Sequence, residues 1–154
     1  MNWINATIAP LRDLIAFLYT KSRTNDIQKR QIIRELRNNL IVFENAYLNE
    51  VAADTVIDNL SNEAIRGAMQ AGFRFDRIRP GHLDKTQILD ERNYKYAGWT
   101  AGRLLEKIDA KIEALKTIKR LSGGSVTGAK NNISLMLSNL YFRMKLLADF
   151  IRSG

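Results

Sequence analysis

The chain has 154 residues, with 24 lysines and arginines against 16 aspartates and glutamates, a formal net charge of +8, no cysteine and a single histidine. A chain of this length buries roughly 70% of the surface its unfolded form exposes, so it needs no metal or disulfide to fold. Without cysteine, a disulfide framework, a thiol nucleophile and a cysteine-based zinc site are excluded, and a cytoplasmic location is the expectation.

The start lacks the positive n-region of an export signal, and Arg12 and Asp13 interrupt what would be its apolar core. The longest apolar runs, 14–19 and 40–43, fall far short of the ~18 residues a membrane-spanning helix requires. No integral membrane association is expected. Most of the positive excess is C-terminal, with +3 in each of the segments 99–122 and 123–154 and −2 in 51–72. Such a field attracts polyanions, because each phosphate contact releases counterions without any base-reading residue.

The first element is amphipathic, with Ile4, Ile8, Leu11, Ile15 and Leu18 in alternating steps of four and three. Pro10 fits only the first turn of a helix, which places Trp3 and Ile4 in a lead-in. A second stripe follows at Ile33, Leu36, Leu40, Phe43 and Tyr47. Leu36 lies five helical turns after Leu18, and neither glycine nor proline occurs from Leu11 to Arg66. The spacing therefore favours one long first helix of about 40 residues, ~60 Å in length. The alternative is a hairpin whose second helix is capped by Thr24, Asn25 or Asp26.

Residues 51–73 read as one bent helix or two short ones, with Ser61, Asn62 and Glu63 as an internal cap and Gly72 closing the segment. An irregular basic loop near residues 74–98 follows, ending in Tyr96-Ala-Gly-Trp99, whose aromatics are expected to anchor it to the core. A cationic amphipathic helix starts at the N-cap Thr100, with Leu104, Leu105, Ile108, Ile112, Leu115 and Ile118 on one face. After a glycine-rich loop with Ser125 or Thr127 as cap, the last helix runs from about Ala129 to Ile151 with a broad apolar surface. The fold class is all-α, an antiparallel bundle of four main helices in a single helical domain over 1–154. Its parts are a helical half 1–73, the connection 74–98 and a helical hairpin 99–154.

Chemical motifs are sparse. The segment Gly123 to Lys130 fails as a phosphate-binding P-loop, because Ala129 separates Gly128 from Lys130, Asn131 replaces the hydroxyl residue, and a helix precedes it. The carboxylate pairs Asp54 with Asp58 and Asp109 with Glu113 share helix faces but suit a solvated surface, so no metal site and no cofactor are expected. The residues expected to contact nucleic acid or another anion are Arg74, Arg77, Arg79, Lys85, Lys116, Lys119, Arg120 and Lys130. The expected function is a non-enzymatic interaction or accessory protein that meets nucleic acid or an acidic protein and self-associates as a homo-oligomer. Self-association is inferred from the long first helix and the wide seam of the last.

An enzymatic alternative rests on Arg77-Ile-Arg-Pro-Gly-His82, an arginine followed after four residues by the histidine. That spacing resembles the motif of HEPN-type ribonucleases, small all-helical domains that dimerise. The resemblance implies a metal-independent RNA-cleaving site in which His82 moves a proton and Arg77 holds the phosphate. It covers six residues, and Ile78 stands where the family usually has a polar residue.

Overall fold

A computed structural model of the chain describes residues 8–154, with side chains from residue 11 onward. The expected lead-in at Trp3 and Ile4 lies outside the described residues. Six α-helices follow one another: α1 (Ile8–Lys21), α2 (Ile27–Leu48), α3 (Ala53–Asn59), α4 (Glu63–Gln70), α5 (Ala101–Leu121) and α6 (Ile133–Arg152). Three 3-10 turns, at Phe75–Arg77, Lys85–Gln87 and Glu91–Tyr96, occupy the connection between α4 and α5. Among the described residues the only extended pairing is a single bridge between His82 and Thr100, so the chain is all-helical. No helix among these residues is long and apolar enough to cross a membrane.

The long first helix is not formed. The chain breaks after Lys21 and restarts at Ile27, and α1 packs back against α2. The break is made by short polar side chains that compete with the helical backbone. Ser22 Oγ donates to the Tyr19 carbonyl at 2.7 Å, the Asp26 N–H donates to Thr24 Oγ1, and Asp26 Oδ1 accepts the Lys29 N–H at 3.2 Å as the N-cap of α2. Helical phase could not reveal this, because a hairpin also needs both stripes facing inward; Leu18 and Leu36 are both buried. Asp26 has a second task, pairing with the Arg77 guanidinium. Asp26→Ala is expected to lower stability by about 1 kcal/mol, the usual worth of a lost N-cap, read as a shift in the urea midpoint.

α6 lies at the centre of the contacts, packing on α1, α2, α5 and the turn at Glu91–Tyr96. Twelve of its 20 residues are buried, among them Leu140, Tyr141, Met144, Leu147 and Phe150. Most of its wide apolar seam is therefore buried within the chain, while Leu135 near its start stays exposed. The helix begins at Ile133, a turn later than expected, because Asn132 rather than Ser125 or Thr127 caps it, accepting the Leu135 N–H at 3.1 Å.

Residues 51–73 form two short helices, as the alternative of a break near Ser61 requires, and Gly72 closes α4 with φ of 71°. The connection after it is held from inside. Phe73 and Phe75 meet edge to face at 5.6 Å, and Phe75 lies so close to α5 that a Cβ on Gly102 would sit 3.3 Å from it. Tyr96 is buried and meets Trp99 edge to face at 4.7 Å. Backbone bonds between Leu83 and the 98–99 segment tie the loop's middle to the start of α5. There Thr100 acts as the expected N-cap, accepting the Arg103 N–H at 3.2 Å.

Candidate anion-binding surface

The cations of the 74–85 loop are used largely for structure. Arg79 reaches over the end of α6, where its Nε donates to the Phe150 carbonyl at 2.8 Å and its guanidinium lies 4.2 Å from the Phe150 ring centre. A cation that satisfies a late helical carbonyl and rests on an aromatic face acts as a C-terminal clamp. Arg77 pairs with Asp26 in the α1–α2 turn and stacks on Phe73 at 4.8 Å. Arg74 pairs with Asp76 at 2.8 Å in solvent, and Lys85 lies 5.0 Å from the Tyr94 ring centre. His82 is exposed, and its backbone bridges to Thr100. Arg77 and His82 are thus fastened to different elements, one to the α1–α2 turn and the other to the start of α5.

The cations of α5 divide by face. At about 100° per residue, Arg103, Lys107 and Lys111 recur every four residues within an arc of about 80°, and Lys116 and Arg120 lie about 100° or more outside it. Lys119 pairs with Asp58 of α3. Lys116 lines a cleft of about 680 Å³ together with Asp58, Glu63, Arg66 and Glu113, where acidic groups offset its charge. Arg120 and Lys130 are exposed. By contrast, no carboxylate among the described residues lies within ion-pair distance of Arg103, Lys107 or Lys111. Arg103 is also laid flat against Trp99, 4.1 Å from its ring centre. These three side chains, rather than the sequence-expected Lys116 and Lys119, present uncompensated charge along one helix face.

The carboxylates considered for metal binding are each taken up by donors. Asp109 accepts from Asn62 Nδ2 at 2.7 Å and from Arg66 Nε at 2.9 Å, and Glu113 accepts from the same Asn62 amide at 2.9 Å. Hydrogen bonding to Asp109 raises the Arg66 pKa further above its ordinary value. Asp54 accepts Ser125 Oγ–H at 2.7 Å and the Val126 N–H at 2.8 Å, which fixes the α5–α6 loop to α3. The Ser125 hydroxyl first, and then the Val126 N–H, hold the Asp54 carboxyl below its ordinary value. A lowered folded pKa means that the unfolded chain binds the proton more readily. Asp54 therefore stabilises the fold above about pH 4 and loses that contribution as pH falls through its folded value. Asp54→Asn is expected to be less stable at neutral pH and to show a shallower loss of urea resistance on acidification from about pH 5.

Sequence reading missed the structural centre of the polar groups. Asn62, the N-cap position of α4, does not cap that helix, because its amide is committed to Asp109 and Glu113. Glu35 of α2 caps it instead. Its Oε2 accepts the Ala64 N–H at 2.7 Å and Ser61 Oγ–H at 2.8 Å, and its Oε1 accepts the Ile65 N–H at 3.1 Å. One turn on, the Asn39 side-chain amide pairs with both backbone groups of Ser61, at 2.9 and 2.8 Å. No protein-family model, curated protein or solved structure matches the chain.

Proposed function

We propose that the chain is a non-enzymatic helical interaction protein whose four long helices form an antiparallel bundle and whose Arg103, Lys107 and Lys111 face engages the phosphate backbone of nucleic acid. The observation that carries this reading is the row of cations at four-residue spacing with no carboxylate within ion-pair distance. Lys119 and Arg77, by contrast, are paired with the carboxylates of Asp58 and Asp26. An uncompensated row raises the local concentration of polyanions and contacts phosphates without reading bases. Trp99, half-buried beside Arg103, adds an aromatic surface to the same face.

The test is fluorescence anisotropy of a labelled single-stranded oligonucleotide titrated with the protein. Binding at low salt that weakens steeply toward physiological salt is the expected result, and no binding even at low salt overturns the reading. Incubation with RNA in the presence of a chelator separates it from the nuclease alternative. Cleavage by the wild type that disappears in His82→Ala would replace the non-enzymatic reading, and intact RNA in both supports it. Self-association, in this reading, would use the groove lined by Ile15, Ala16, Tyr19 and Ile41 between α1 and α2. Sedimentation showing only monomer at high concentration removes it.

A further inference from the structure

Arg143 is a cation where an apolar helix face should be. It sits in α6 between Phe142 and Met144, is 3% exposed, and makes no ion pair with any described residue. Its Nε and Nη2 donate to the Tyr96 hydroxyl at 2.9 and 2.6 Å, and its buried Nη1 has no hydrogen-bond partner. Removing a guanidinium from water costs several kcal/mol unless an anion compensates it, and a phenol oxygen supplies no charge.

The surroundings of Arg143 deepen the imbalance. It lines a cavity of about 270 Å³ with Lys95, Tyr96, Trp99, Lys107, Lys111 and Asn139. Four of these seven residues are cations and none is a carboxylate. Arg143 and Tyr96 are the buried members of this lining, while Lys95 is exposed and Lys107 and Lys111 are half-buried, so the lysines stand toward the mouth. The volume far exceeds that of one water, which takes about 30 Å³ of liquid.

We infer that this cavity is a binding site for a dianionic phosphate group, with Arg143 as its buried anchor. A dianionic tetrahedral group matches four converging cations better than a single carboxylate does. Lysines at the mouth act as mobile point charges, and the Asn139 amide can donate to a phosphate oxygen. The same chemistry is offered by free inorganic phosphate and by the phosphorylated end of a nucleic-acid strand. The site shares Lys107 and Lys111 with the proposed backbone-binding face but stands on a separate observation, the buried and uncompensated Arg143.

The test is calorimetric titration of the full chain with inorganic phosphate at constant ionic strength. The Arg143 Nε–Hε resonance of the labelled wild type is followed in parallel and assigned by its absence in Arg143→Lys. Saturable binding that moves this resonance is expected, weakened at least tenfold in Lys95→Ala/Lys107→Ala, whose changes lie at the mouth and spare the core. Arg143→Met/Tyr96→Phe removes both members of the buried pair; it is expected to abolish phosphate binding while its melting temperature stays level or rises. No saturable binding, an unmoved Arg143 signal, or equal affinity in the mouth variant overturns the inference. A 5′-phosphorylated oligonucleotide that binds the wild type more tightly than its 5′-hydroxyl counterpart identifies a strand end as the source; equal affinity with phosphate still bound identifies the free ion. Binding of the 5′-hydroxyl strand alone, with no response to phosphate, would overturn the cavity inference and leave the backbone-binding face standing.

Discussion

Changing Arg103, Lys107 and Lys111 together to glutamate is expected to reduce nucleic-acid affinity at least 100-fold at low salt while the protein remains folded. Three phosphate contacts on a single strand give a salt dependence of about 0.7 per contact, so wild-type affinity should fall about 20-fold between roughly 50 and 200 mM salt. Charge reversal removes these attractions and adds repulsion of the same phosphates. The fold should tolerate the change, because Arg103 is exposed, Lys107 and Lys111 are half-buried, and none of the three holds an ion pair that would be broken. Anisotropy titrations beside circular dichroism separate lost binding from lost structure.

Glu35→Ala is expected to destabilise the protein by about 3 kcal/mol, from the loss of a helix cap and the exposure of orphaned buried donors. Glu35 is 7% exposed, and three donors converge on it from the 61–65 segment. Without it, the N–H groups of Ala64 and Ile65 open α4 with no acceptor, and the intrinsic cap Asn62 cannot turn to help without abandoning Asp109 and Glu113. The carboxylate also lies at the positive end of α4, where its charge is favourable. Glu35→Gln keeps one acceptor oxygen and should lose less. Urea unfolding of both variants checks the order.

Much of the helical pattern was legible because apolar spacing and local caps point the same way. The N-cap Thr100, the break near Ser61 and the closing Gly72 depend on neighbours within a few residues. What was illegible depends on contacts distant in sequence. The turn at 22–26 was hidden because Leu18 and Leu36 face inward whether α1 and α2 are continuous or folded back. Glu35 and Asn39 read as an ordinary polar helix face, yet both are buried by a segment more than 20 residues away.

The site divides the same way. The loop holding Arg74, Arg77, Arg79 and His82 was conspicuous because cations cluster there, but clustering says nothing about partners. Arg77 and Arg79 turn out to fasten the loop to the α1–α2 turn and to the end of α6. Lys119 is paired with an acid on α3, Asp58, that no local reading could supply. Arg143 did carry a signal: an arginine inside the apolar run of α6 must be either satisfied or functional.

Whether uncompensated charge on the 103–107–111 face binds nucleic acid is decided by comparing two triple-alanine variants for the slope of log affinity against log salt. On a single-stranded probe, Arg103→Ala/Lys107→Ala/Lys111→Ala should reduce the slope by about two, and Lys116→Ala/Lys119→Ala/Arg120→Ala should leave it nearly unchanged. The opposite ranking, or an equal loss in both variants, would contradict the claim.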